Sequence, residues 1–158
     1  MTDSPEERVF LVVVDQTEEH HVALRFACRR AVHTGGRVAL MYVIEPGDFQ
    51  HWMAVEDLMK QERREEAEAS LQSYSEKVQA WTGKMPMLYI REGSPSEELF
   101  ALIDEEPNIS ILVLAADTSQ SGPGPLVEAL VGKMSGRLRI PFTIVPGSLD
   151  DGQIDSLT

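Results

Sequence analysis

The sequence predicts an α/β fold, a three-layer sandwich in which helices cover both faces of a parallel sheet. Five short apolar runs alternate with longer segments whose apolar residues recur at helical spacing. The first run, VFLVVV, is apolar throughout and rich in β-branched residues, which is typical of a strand buried on both faces. Strands that alternate with helices pair in parallel through right-handed crossovers. At 158 residues the chain fits one domain with a single substantial core.

The strands and the first helix follow from the positions of these runs. The predicted strands cover residues 8–15, 37–46, 85–92, 109–116 and 141–146. Residues 18–34 carry apolar and small side chains at helical spacing, and Gly35 and Gly36 supply a stop for this helix. The single cysteine, Cys28, lies in the same helix, so we expect a buried thiol and no internal disulfide.

The second and third helices are marked by apolar spacing and by start signals. After a turn at residues 47–52, a long charged segment has apolar residues at helical intervals, namely Leu58, Leu71, Tyr74, Val78 and Trp81. Residues 60–69 within it mix charge signs and predict an exposed helical face. Ser94 is a candidate N-cap, with Pro95 at the first helical position and Glu97 placed for a capping box.

A fourth helix and an acidic tail complete the predicted elements. The helix covers residues 125–138 and follows a proline suited to a helix start. Ala129, Gly132 and Gly136 are three and four positions apart, and this small-residue stripe predicts a close approach of the helix to the sheet. The acidic residues after the last strand predict a peripheral tail.

Charge and composition argue against several functions. The chain has 26 acidic and 14 basic residues and a formal net charge of -12, which disfavours unaided binding to nucleic acid or to an anionic membrane surface. Apolar runs such as residues 9–14 are far short of the roughly 20 residues of a membrane span. The segment MTDSPEERV lacks the features of a signal peptide. We therefore expect a cytoplasmic protein with no nucleic-acid and no membrane partner.

Side chains suited to catalysis or metal binding are sparse. His20, His21, His33 and His51 lack metal-ligand spacing to any acid or to the cysteine, and we expect them at the surface. The sequence has no Gly-x-Ser-x-Gly elbow and no pair of carboxylates at strand ends. We expect no metal and no enzymatic activity.

Four segments resemble the universal stress protein family. They are VVVD in the first strand, VIEP at the end of the second, EGSPSEEL at the third strand-to-helix junction, and PFTIVP as the last strand. The resemblance implies a universal stress protein domain over residues 1–147, followed by the acidic tail at 148–158. It implies an adenine nucleotide alpha hydrolase-like, Rossmann-like sheet of five parallel strands in the order 3-2-1-4-5. It also implies an ATP site and a homodimer formed through the edge strand from Pro141 to Pro146.

The expected ATP loop departs from the family pattern in every register. Family members that bind ATP usually carry Gly-x2-Gly-x9-Gly-Ser/Thr after the fourth strand, where this chain has LAADTSQSGPGPLVEALVGKMSG. When the pattern is aligned on the end of the fourth strand, Ala115 and Thr118 occupy its first two glycine positions. When the pattern is aligned on its nine-residue gap, Gly122 and Gly132 match the last two glycines. In this alignment Ser119 replaces the first glycine and a lysine replaces the hydroxyl residue.

Some features of a nucleotide site remain. The resemblance places Asp15 near the ribose or base and Val43 against the adenine, although an Asp that ends a strand can equally cap the next turn. Hydroxyls and backbone amides after the fourth strand can still meet a phosphate. The candidate nucleotide site consists of Asp15, Val43, Ala115, Ser119, Ser121, Gly122 and Gly132.

Two functions of different classes remain. Counted back from the last strand, Glu128 takes the final glycine position, where a carboxylate would repel phosphate. The first function is therefore a non-enzymatic, stress-responsive regulatory or interaction module with a degenerate ATP loop, whose acidic surface offers docking places for a protein partner. The alternative is an adenine-nucleotide switch that binds ATP through a variant loop. In the tail, Leu149, Ile154 and Leu157 either cover the edge of the last strand or reach across the dimer.

Overall fold

A computed structural model describes residues 7–14, 20–46, 53–116, 124–132 and 135–158. The strands are β1 (Val9–Val13), β2 (Arg37–Ile44), β3 (Met87–Glu92), β4 (Ile109–Ala116) and β5 (Phe142–Pro146). The helices are α1 (His20–Thr34), α2 (Met53–Thr82), α3 (Pro95–Glu105), α4 (Pro125–Val131) and α5 (Asp151–Leu157), and a 3-10 turn covers Ser135–Arg137.

The five strands form one sheet in the order β3-β2-β1-β4-β5, and every neighbouring pair is parallel. The predicted fold and strand order are confirmed. In the central strand, Val12 lies in register with Leu40 of β2 and Val113 of β4. Leu11 and Val12 are both fully buried although they point to opposite faces. The run VFLVVV is therefore apolar throughout because both of its faces are covered.

Each face of the sheet has its own core. Phe10, Val12 and Val14 of the β1 segment pack with α1, α2 and α5, whereas Val9 and Leu11 pack with α3 and α4. The alternation of side chains along β1 thus divides a single apolar run between two cores. This division leaves the two ends of the sheet, where strands meet loops, as the places where polar side chains can converge.

The long helix α2 has 30 residues, and its first turns extend past the sheet. Arg63 Nη1 donates a hydrogen bond to the carbonyl oxygen of Glu45, the residue that follows β2, so the turns before Arg63 lie beyond the end of that strand. Leu58 was predicted on the apolar face and is 57% exposed, so this prediction is wrong. The buried face begins at Ala67 and includes Leu71. Most side chains of residues 60–69 are exposed, as predicted.

Helix α4 is shorter than predicted. It ends at Val131 rather than at position 138, and the N–H of Gly132 donates to the carbonyl oxygen of Glu128 at that end. Gly132 and Gly136 are exposed, and a Cβ added at Gly136 would meet no atom within 4 Å. The predicted small-residue stripe is therefore wrong, because the helix stops before the periodicity could place these glycines against the sheet.

The start of α3 differs from the prediction in one respect. Ser94 occupies the N-cap position and Pro95 opens the helix, as predicted. The Ser94 side chain makes no capping hydrogen bond, and its Oγ lies 3.5 Å from the Oγ of Ser96. The predicted capping box with Glu97 is therefore not formed.

The tail was predicted to be peripheral, but it forms α5 and packs against α1. Ile154 is fully buried in the core on the α1 side of the sheet. Asp150 and Gln153 form a capping box at the start of the helix. Asp155 accepts two hydrogen bonds from Arg25 of α1, at 2.9 and 2.7 Å. The tail residues thus complete the cover over this face of the sheet.

Candidate functional site

The carboxyl ends of the strands form the edge where a ligand site is expected. The strand order reverses beside β1, which has β2 on one side and β4 on the other. In open parallel sheets a crevice forms outside the carboxyl ends at such a reversal. The described residues at this edge include the ends of β1 to β4 and the start of α4, while Asp15, Ser119, Ser121 and Gly122 lie outside the described residues.

Val43 lies at this edge, near the end of β2. It is half-buried and packs against the core on the α3 and α4 side. Val13, at the end of β1, is also half-buried and packs against the same core. Because Val13 is in register with Met41 and side chains alternate, Val13 and Val43 lie on the same face of the sheet. The two valines form an apolar patch beside the crevice, and sequence reasoning had singled out only Val43.

Arg91 of β3 adds a charge to this patch. It is in register with Val43, so both side chains lie on one face. Its Nη2 donates to Glu105 of α3 at 2.7 Å, while its buried Nε has no hydrogen-bond partner. The sequence signal that could have found Arg91 is the break it makes in an otherwise apolar strand.

Ala115 lies on the other face. It is in register with Val145 of β5 and packs against the core on the α1 side. β1 lies between β4, which carries Ala115, and β2, which carries Val43, so the two residues are about 10 Å apart across the sheet. The structure therefore does not bring the side chains of Val43 and Ala115 together, and Ala115 can offer only its backbone to the crevice.

Gly132 lies at the far end of α4 from this edge. The helix has seven residues, so about 10 Å separates Gly132 from the first turn. Its N–H already donates to Glu128, and Gly132 is exposed. We therefore expect no contact between Gly132 and a phosphate held at the start of the helix.

The first turn of α4 is poorly suited to an anion. Gly124 is the N-cap and makes no side-chain capping bond, and Pro125 at the first position has no N–H to donate. Glu128 places a carboxylate in the same turn. A helix N-terminus carries about half a positive unit charge, and a carboxylate in the same turn opposes it.

The cysteine and the described histidines are engaged elsewhere. Cys28 is buried as predicted, and burial raises the pKa of its thiol to about 12. His21 Nε2 lies 2.9 Å from Asp151 Oδ1, and the ring of His20 packs edge-on against Tyr74. His33 Nδ1 lies 2.7 Å from the backbone oxygen of the last residue. Among the described residues no three His, Cys, Asp or Glu side chains are grouped to hold a metal.

The universal stress protein family model matches residues 7–138. The chain belongs to this family. In the part of the chain that the structure describes, no helix has the length and apolar character needed to cross a membrane. No curated protein shows a significant sequence match to this chain.

Solved structures of universal stress proteins share the fold. UspA from Lactobacillus plantarum is 17% identical, with a TM-score of 0.73 over 89% of this chain and 97% of its own. The hypothetical protein MJ0577 is also 17% identical, with a TM-score of 0.76 over 92% of this chain and 99% of its own. A universal stress protein from Archaeoglobus fulgidus in complex with dAMP is 16% identical, with a TM-score of 0.63 over 88% and 97%. At these identities the similarity establishes the fold alone.

Proposed function

We propose that this universal stress family protein is a non-enzymatic regulatory or interaction module of the stress response whose ATP loop is degenerate. The observation that carries the proposal is the first turn of α4, where Pro125 removes an amide donor and Glu128 adds a negative charge. Backbone amides and a positive helix end are what a phosphate needs at this place. The Glu128 carboxylate opposes the half-unit helix charge, so the turn is less favourable to the phosphate that the family loop holds.

A thermal-shift series with ATP and magnesium tests the proposal. Occupancy of a site with Kd near 10 μM by about 1 mM ATP would stabilise the fold by about 2.7 kcal/mol. For a chain of this size that is a rise in Tm of about 5–10 °C. We expect a rise of less than about 1 °C in the wild-type protein. A rise of the larger size, or adenine nucleotide retained in native mass spectrometry, would overturn the proposal.

A charge-removing variant separates the Glu128 argument from other causes of weak binding. Glu128→Gln should bind ATP more tightly than wild type by about tenfold, the equivalent of 1.4 kcal/mol of relieved repulsion. Glu62→Gln is the matched control, because Glu62 is exposed on α2 and its loss changes the net charge equally. Equal effects of the two substitutions would show that overall charge, and not the first turn of α4, limits binding.

The alternative is an adenine-nucleotide switch of the same fold. The half-buried Val13 and Val43 at the ends of neighbouring strands favour it, because an apolar patch there can accept a base. The dAMP complex of the Archaeoglobus fulgidus protein supports the same alternative. A large ATP-induced stabilisation that Asp15→Ala abolishes would establish the switch in place of the ATP-free module.

The assembly belongs to the proposal as well. β5 is an edge strand, and Phe142, Thr143 and Ile144 are half-buried in the isolated chain. An edge strand presents unpaired backbone groups that another copy can pair with. We propose a cytoplasmic homodimer formed through this strand, with a protein partner docked on the acidic surface. Light scattering that gives the monomer mass at micromolar concentration would contradict the dimer.

A further inference from the structure

A cavity lies at the opposite edge of the sheet from the crevice. Its volume is about 740 Å³, within the range of small-molecule sites. It is lined by the starts of β1, β2, β3 and β4 and by the residues that precede β5. All of these are amino ends of parallel strands, so the cavity shares no lining residue with the candidate nucleotide site.

Three arginines line this cavity in a chain whose net charge is -12. Arg8 precedes β1, Arg37 opens β2 and Arg139 precedes β5. Among the described residues Glu7 is the only carboxylate in the lining, so these residues carry a surplus of two positive charges. Like charges that line one cavity repel one another, and an anion among them relieves that repulsion.

Two cations at this edge donate hydrogen bonds to backbone carbonyl oxygens at the C-terminal ends of helices. Arg139 Nη2 donates to the carbonyl oxygens of Ile103 and Glu106 at the end of α3, at 2.6 and 3.2 Å. Lys84 Nζ donates to the carbonyl oxygens of Gly35 and Gly36 after α1. These contacts satisfy helix ends that carry partial negative charge. They leave Nε and Nη1 of Arg139 without a hydrogen bond among the described residues.

Glu7 neutralises only part of the remaining positive charge at this edge. Its carboxylate accepts from Arg37 Nε at 2.9 Å and from Lys84 Nζ at 3.2 Å, so a single negative charge is shared by two cations. Burial alone would raise the pKa of Glu7, but the hydrogen bond from Lys84 and the charge of Arg37 together lower it. Glu7 therefore stays ionised at neutral pH and is already committed to these two partners.

Arg8 is the cation without a structural role. Within the described residues its guanidinium makes no hydrogen bond and no ion pair, although its backbone carbonyl accepts the N–H of Arg37. A Cβ at Gly36 would overlap that carbonyl oxygen, so glycine there lets the two chain segments approach. The backbone at Arg8 is thus held by neighbouring strands while its side chain has no partner.

We propose that this cavity binds a small organic oxyanion, a molecule with a phosphate or carboxylate group and a short apolar body. The forked donors of Arg8 and Arg37 match the geometry of either oxyanion. Asn108 in the lining supplies a further amide donor, and Met87 and Ile140 supply apolar surface for the body of the ligand. The volume is larger than an inorganic ion requires, so an organic ligand fits it better.

Isothermal titration calorimetry of the full chain with glycerol phosphate and with succinate tests this site. At a constant salt concentration of about 0.1 M, we expect at least one of the two to bind with Kd below about 1 mM. Arg8→Gln should weaken that binding about tenfold, because it removes a charge-assisted contact without breaking any bond within the fold. Arg64→Gln is the matched control, since Arg64 lies on α2 in an exposed pair with Glu68. It should leave Kd unchanged within about twofold.

The outcomes separate the ligand class and the site. Binding of glycerol phosphate alone assigns a phosphate ligand, and binding of succinate alone assigns a carboxylate ligand. No binding of either at about 10 mM overturns the proposal. Equal losses in Arg8→Gln and Arg64→Gln also overturn it, because they would reflect overall charge. Binding that Arg8→Gln leaves intact would place the anion elsewhere, for example at the crevice, and is equally a refutation.

Discussion

Replacing Ile154 by alanine removes the side chain that anchors α5 to the core. Ile154 is fully buried on the α1 side of the sheet, and Leu157 on the same helix is 67% exposed. A seven-residue helix has little stability of its own in water, so α5 exists because it docks. The substitution therefore measures how strongly the tail is held.

The magnitude follows from the burial of Ile154 and from the contacts that hold α5. Truncating a fully buried Ile to Ala costs about 2–5 kcal/mol in the cores of folded proteins. Because α5 contacts mainly α1, it can detach at less than the global free energy of unfolding, which limits the loss to the docking energy of α5. We therefore expect a loss in the lower part of the range, about 2–3 kcal/mol, or a fall in Tm of about 5–10 °C.

Urea denaturation followed by circular dichroism measures this loss. Leu157→Ala is the matched control and should change the free energy of unfolding by less than about 0.5 kcal/mol. A lower m-value for Ile154→Ala would show that α5 has already detached in the native state, because less surface is then exposed on unfolding. If the two variants are equally stable within about 0.5 kcal/mol, the docking of α5 through Ile154 is refuted.

Three further predictions concern charge, burial and close approach. The hydrogen bond from Arg25 lowers the pKa of Asp155, so the contribution of this carboxylate to stability is complete above the ordinary pKa of 3.8 and is lost as pH falls below it. Asp155→Asn should flatten this decline in urea titrations between about pH 5 and 2. Cys28 should react with a disulfide reagent at about pH 8 only after unfolding, and labelling of the native protein would contradict its burial. Gly36→Ala should lower the free energy of unfolding by about 1–3 kcal/mol, because the added Cβ would overlap the Arg8 carbonyl. Gly136→Ala is the control, since a Cβ there has open space and should cost less than about 0.5 kcal/mol. Equal losses for the two variants in denaturation would refute the close approach.

The candidate nucleotide site shows how far strand-end reasoning reaches. The sequence placed Val43 and Ala115 correctly at the ends of β2 and β4. The sequence could not show that Val43 and Ala115 face opposite sides of the sheet, or that Val13 shares a face with Val43. The relative register of the strands decides both, and this register depends on pairing between distant segments. Gly132 matched a spacing that crosses the predicted helix, but only the structure showed that α4 ends at Val131 and leaves Gly132 exposed.

The sequence by itself determined the fold class, the five strands and the buried character of β1, because these depend on local periodicity and on short apolar runs. The tertiary structure alone decided that the acidic tail docks through Ile154, that Leu58 lies beyond the sheet and is exposed, and that Arg8, Arg37 and Arg139 share one cavity. These outcomes depend on which surfaces meet when strands 28 to 133 residues apart in sequence, such as those opened by Val9, Arg37 and Phe142, lie in one sheet. A charge pattern read along the chain shows an acidic protein, and only the folded chain gathers three of its arginines at one edge.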